Sequence, residues 1–211
     1  MSKIKNFELV GKRECRAFAV PDLTVQPEGN IIDGHAAIYD QKADINGWFY
    51  EVIERGAFDK TDFTDVLFSI NHDLGRIPLA RSRNNNENST LFLKIDDQGL
   101  YTRATLDIDN NMDSKALYSA VERKDISGMS FIFYVRNEIW ENLDSDMPTR
   151  RITDIERVIE VSAVNFPAYP QTDINSRSSE ALDSVKKALD SVRADYILEQ
   201  RKKEIILKTL M

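Results

Sequence analysis

The chain has 211 residues, 42% of them hydrophobic, with a formal net charge of −7 and a pI of about 5.0. That length supports one full-sized core plus an appended segment, and the acidic balance excludes a global field that would draw in nucleic acid. No apolar run approaches the roughly 20 residues needed to cross a bilayer, and residues 1–8 lack the apolar stretch of a signal peptide, so neither a membrane nor export is expected. The single cysteine, Cys15, excludes an internal disulfide framework and a cysteine metal cluster, which points to a reducing cytosol. It lies in a strand-like stretch, where it reads as a small packing residue. Only two histidines are present, His35 and His72, so any chemistry that needs an imidazole must use one of them.

Taken in order, residues 7–10 and 16–20 read as short strands joined by a turn at Gly11, and 21–29 as a loop rich in turn formers. Residues 30–40 form a strand with Gly34 in its middle, a signal for a bulge. Further strands are expected at 48–53, 65–73, 79–82, 90–95 and 100–106, with turns at 84–89 and 96–99. Residues 110–124 break this pattern. Ala116, Leu117, Ala120 and Val121 fall at helical spacing, Asp109 or Asn110 is placed to cap, and Asp113 sits near the positive end. A strand opens at about Met129, a polar loop spans 141–151, and another strand runs over 154–164 until residues 166–170 stop it.

Residues 174–179 read as a linker and 180–211 as a helix, whose Leu182, Val185, Leu189, Val192 and Tyr196 form a heptad-like seam suited to a partner. The expected organisation is a domain over 1–173, the linker, and a helical tail over 180–211 for docking or assembly. The fold class is mainly β with helices (α+β), with a β-barrel and one or two packed helices as the architecture.

Three residues stand out chemically. Ser130 belongs to a strand that opens beside Gly128; Met129, Phe131, Phe133 and Val135 share one face, and Ser130, Ile132 and Tyr134 the other. A hydroxyl on a rigid strand next to a glycine suits presentation at a site; the alternative is that Ser127 and Ser130 are turn residues with local hydrogen bonds. His72 ends an apolar strand, on the face of Phe68 and Ile70 by period-two counting, where a scaffold meets a cleft. A structural histidine paired with Asp73 is the competing reading, and no recognised metal-ligand spacing surrounds it. Glu160 interrupts the apolar run 158–164 and shares a face with Val158, Ser162 and Val164. A carboxylate there is costly to bury unless a charge or several donors receive it. A histidine that becomes an imidazolium is one such receiver, as in nucleophile–base–orienter sets; a solvated face with Glu160 paired to an exposed Arg or Lys is the other option.

Together, Gly34-His35-Ala36-Ala37-Ile38-Tyr39, Glu54-Arg55-Gly56-Ala57-Phe58, Asn71-His72-Asp73, Gly99-Leu100-Tyr101, Ser127-Gly128-Met129-Ser130-Phe131, Glu160-Val161-Ser162-Ala163-Val164 and Pro167-Ala168 resemble the prohead (procapsid) maturation proteases of tailed bacteriophages, serine peptidases related in fold to herpesvirus assemblin. The pieces run in that family's order from about residue 30 to residue 170. The resemblance implies an assemblin-like β-barrel with flanking helices. By the likeness His72 corresponds to the general base, Ser130 to the nucleophile and Glu160 to the third member. The herpesvirus relatives use a second histidine in that third role, which makes His35 the rival. The chain departs from the family in carrying Ile132 where a glycine usually stands.

The implied chemistry is acyl transfer: His72 takes the Ser130 proton, Ser130 attacks a peptide carbonyl and Glu160 orients the imidazole. Backbone N–H groups near Gly128, Arg150 or Arg151 are the candidates for oxyanion donors. No cofactor and no metal is expected. The resemblance implies scaffold and major capsid protein as substrates, self-cleavage, and action in the host cytoplasm inside the assembling procapsid; it leaves a homo-oligomer open. Two other classes remain open: a catalytically inactive scaffold-binding capsid assembly protein, suggested by the helical seam, and a metal-dependent hydrolase using His35, His72 and Asp73.

Overall fold

The computed structural model describes residues 4–5, 13–18, 22–45, 47–165 and 176–209, with side chains over 22–45, 47–165 and 186–209. The strands are β1 (Ile4–Lys5), β2 (Arg13–Phe18), β3 (Thr24–Gln26), β4 (Ile31–Ile38), β5 (Ala43–Ile45), β6 (Phe49–Ile53), β7 (Val66–Ile70), β8 (Ala80–Ser82), β9 (Leu91–Ile95), β10 (Gly99–Thr105), β11 (Gly128–Glu141) and β12 (Thr149–Val164). Two helices join them, α1 (Met112–Glu122) and α2 (Ser176–Thr209). The described residues are therefore mainly β with two helices, α+β. The strand expected at residues 7–10 lies outside the described residues, as do 166–170 and the start of the expected linker.

Among the described residues the strands assemble into two sheets that do not close into a barrel. The larger is built on the long antiparallel hairpin of β11 and β12, with β2 on the outer edge of β11 and β6 and β7 running parallel to β12. The smaller has the order β3-β4-β10-β9. The hairpin includes Glu141 and runs again from Thr149, where a loop over 141–151 and a strand from 154 were expected, because charged residues find partners across the ladder instead of looping out: Arg151 meets Glu141 at 2.9 Å, and Arg136 meets Asp154 at 2.9 Å.

Alternation along the strands separates two faces. Met129, Phe131 and Phe133 of β11, Val161 and Ala163 of β12 and Phe68 of β7 are buried in one core cluster, with Phe131 and Phe133 stacked at 4.4 Å. Apart from Ala163, each such side chain contributes about 1.5–3 kcal/mol on leaving water. Gly34 marks a close approach and not a bulge: a Cβ there would lie 3.0 Å from Asp22 and 3.1 Å from the Leu23 backbone. The register shift falls instead between Leu100 and Tyr101, opposite Ala36.

α1 is capped by Asn111, one residue beyond the expected cap; its side chain accepts from the N–H groups of Asp113 and Ser114. α2 begins at Ser176, so its first turn takes in residues expected to be linker. Ala188, Leu189 and Val192 then bury against Ile45, Phe49, Trp140 and Leu143 of the body, and Arg193 donates to the Ser145 carbonyl at 2.7 Å. Two seam positions, Leu189 and Val192, are thus covered by the chain itself. The seam's other apolar neighbours behave differently: Ile197, Leu198, Ile205, Ile206 and Leu207 are exposed.

Candidate active site

β11, β12 and β7 lie side by side, and their register aligns four polar side chains on the face opposite the core. Ser130 pairs with Ser162 across the hairpin, Ile132 with Glu160, and Ser69 of β7 with Ser162 in the parallel ladder. All of these positions are buried, Ser130, Glu160 and Ser162 completely.

His72 reaches this face by a turn. β7 ends at Ile70, and Asn71 and His72 both adopt left-handed backbone, at φ +49° and +59°, closed by the Asp73 N–H on the Ile70 carbonyl at 3.1 Å. Period-two counting put His72 with Phe68 and Ile70; the turn breaks the alternation and swings it over the Ser69 face. Asn tolerates this conformation, whereas a histidine held there costs about 1–2 kcal/mol. Hydrogen bonds from the neighbouring strand offset that strain. The Asn71 N–H donates to the Ala163 carbonyl at 3.0 Å, the His72 N–H to Ser162 Oγ at 3.0 Å, and the Asn165 N–H to Asn71 Oδ1 at 3.0 Å.

The result is a continuous hydrogen-bonded line. His72 Nδ1 lies 2.7 Å from Glu160 Oε2, and Nε2 lies 2.6 Å from Ser130 Oγ. The hydroxyls of Ser69 and Ser162 both contact the other carboxylate oxygen, Glu160 Oε1, so the desolvated carboxylate is surrounded by donors. Of the three, His72 is the partly exposed member, its side chain 20% accessible. Farther out, Arg76 bridges Asp73 and Asp113 at 3.4 and 3.0 Å, tying the segment after His72 to the start of α1. Ser69 and Ser162 were not singled out in the sequence, although a polar residue two places from Glu160 on an apolar strand was a visible signal.

The remaining sequence candidates lie elsewhere. His35 has Asp22 on Nδ1 at 2.5 Å and Asp96 on Nε2 at 3.1 Å, with Tyr101 at 5.5 Å. Burial pulls its pKa down, but the hydrogen bonds and charges of the two carboxylates outweigh this and raise it above 6.5. Asp96 is held below the usual carboxylate range: burial opposes this, and the Gln98 and Gly99 N–H groups and His35 prevail. Arg150 is buried at the opposite end of β12 against Glu51 and Glu138, and Arg151 pairs with Glu141. Ser127 sits half-buried ahead of β11. Among the described residues no group of three or more His, Cys, Asp and Glu side chains is gathered to hold a metal ion.

A serine hydroxyl, an imidazole and a carboxylate in this order can perform nucleophilic acyl transfer. Comparison with known families gives a match over residues 19–188 to the model described as caudovirus prohead serine protease. The matched region holds all three residues and extends past residues 174–179 into α2. No curated protein and no solved structure matches the chain.

Proposed function

The chain belongs to the caudovirus prohead serine protease family, and from that membership and the geometry of the site we propose that it is an endopeptidase with Ser130 as nucleophile, His72 as general base and Glu160 as the third member. The observation that carries the reading is the pair of His72 contacts, 2.7 Å to Glu160 and 2.6 Å to Ser130. Neutral His72 keeps its Nδ1 proton in a hydrogen bond to Glu160, leaving Nε2 to accept the Ser130 proton as Oγ attacks the peptide carbonyl. The imidazolium so formed is balanced by Glu160. It then passes the Nε2 proton to the departing amine, and a water activated by the same nitrogen releases the acyl group from Ser130. The exposed edge of His72 is the side from which substrate enters. His35 does not serve this reaction, since both of its nitrogens are engaged by carboxylates.

The substrates are the scaffold and the major capsid protein within the procapsid, and the chain also cleaves itself. The end of α2 docks the protease during assembly. Because Ala188, Leu189 and Val192 cover the body, the docking part starts beyond Tyr196, where the apolar side chains are exposed. Incubating the chain with purified scaffold and capsid protein tests the function: cleavage by the wild type and none by Ser130→Ala is expected. Binding to scaffold without cleavage by the wild type would identify an inactive assembly protein instead. A chain ending at Tyr196 should stay folded and cleave a peptide while failing to co-purify with scaffold; unimpaired co-purification would remove the docking role.

A further inference from the structure

We infer that Ser162, assisted by Ser69, is a positioning residue that locks His72 and Glu160 into one rigid unit; this rests on the reading of Ser130, His72 and Glu160 as the reacting set. Ser162 Oγ touches both the backbone of His72, accepting its N–H at 3.0 Å, and the carboxylate of Glu160. It therefore fixes the base at its main chain and the carboxylate at its oxygen.

Proton counting defines the assignment. Two hydroxyls meet in three oxygen–oxygen contacts: Ser162 with Glu160 Oε1, Ser69 with Glu160 Oε1, and Ser69 with Ser162 at 2.8 Å. Each hydroxyl has one proton, so at most two of these contacts are hydrogen bonds at a time. The His72 N–H occupies a lone pair of Ser162, whose own proton points to Glu160 Oε1. Ser69 then donates either to the same carboxylate oxygen or to Ser162. In both arrangements Oε1 is engaged from the strands below, which leaves Oε2 to face His72 Nδ1. The carboxylate cannot rotate away without breaking these contacts, and His72 cannot relax from its left-handed conformation without giving up its N–H bond to Ser162.

A structural serine and a positioning serine are told apart by how its loss depends on Glu160. Ser162→Ala should lower kcat by about 10–100-fold with KM unchanged, the scale on which small displacements of a reacting group act. In a Glu160→Gln background the same change should lower kcat by a factor at least about fivefold smaller, because the two residues act as a unit. Ser69→Ala should show the same dependence with a smaller loss of about 3–10-fold, and it carries the test if Ser162→Ala fails to fold. Unchanged kcat in a folded Ser162→Ala protein, or equal factors in the two backgrounds, overturns the inference. Ser130→Ala is measured alongside. If it is inactive and the other serine variants keep full kcat, only the positioning role falls; if it remains active, the reacting set falls with it.

Discussion

His35 and His72 each meet a carboxylate through one ring nitrogen, and they part at the other. His35 has a second carboxylate there, at 3.1 Å, and its side chain is 8% exposed. His72 has a hydroxyl there, at 2.6 Å, and is 20% exposed. Two carboxylates favour an imidazole that keeps both protons, which is a clamp between the strand β4 and the segments holding Asp22 and Asp96. One carboxylate and one hydroxyl favour an imidazole with a lone pair facing a proton it can take, which is what a general base requires. The backbone follows the same division. His35 lies within the β4 ladder, paired with Tyr101 beside the register shift, whereas His72 is held in a left-handed turn by contacts from β12.

The contrast is broken most severely by removing the base. His72→Ala should reduce peptide cleavage by roughly 10⁴–10⁶-fold, the scale of losing a triad base, with the fold retained. Retention of a tenth of the activity in a folded protein would remove His72 from the reaction. Next in size is Glu160→Gln, expected to cost about 10³–10⁴-fold in kcat because the amide no longer holds the imidazole in its working tautomer or balances its charge. His35→Ala, measured under the same single-turnover conditions, should cost less than about tenfold while lowering stability by about 1–2 kcal/mol through its lost hydrogen bonds. Comparable kinetic losses in Glu160→Gln and His35→Ala would mean that the chain uses its second histidine catalytically.

The smallest effect is a pH dependence of stability. The folded pKa of His35 is raised, first against the pull of burial and then by Asp22 and Asp96. Its contribution is therefore fully present below pH 6.5, the ordinary histidine value, and is lost as pH rises through the folded value. Thermal unfolding should show the wild type losing stability above about pH 6.5 more steeply than His35→Gln. Parallel slopes would mean that His35 is not a charged clamp.

How far the sequence reached follows from these same elements. Ser130, Glu160 and the apolar strand leading to His72 were legible because each interrupts a hydrophobic pattern whose period is simple. The side on which His72 lies was not, since alternation holds only within a strand and two left-handed residues intervene. The loop was expected over 141–151 because its charged residues suggested a solvated turn, whereas Glu141 and residues 149–151 belong to the ladder, where Arg151 pairs with Glu141 and Arg150 is buried with Glu138. The seam of α2 was visible, but what covers it depends on where Phe49 and Trp140 lie in space, and helical spacing carries no such information. A barrel was expected from a series of short strands; among the described residues, pairing two long central strands with parallel β6 and β7 gives two sheets that are not closed into one.

In the proposed reaction His72 makes Ser130 nucleophilic, and a serine-reactive phosphonate followed by peptide mapping tests this most directly. One equivalent of label is expected on Ser130 in the wild type, with the labelling rate falling by orders of magnitude in a folded His72→Ala protein. Label on another serine such as Ser127, or labelling of Ser130 at the same rate without His72, would contradict it.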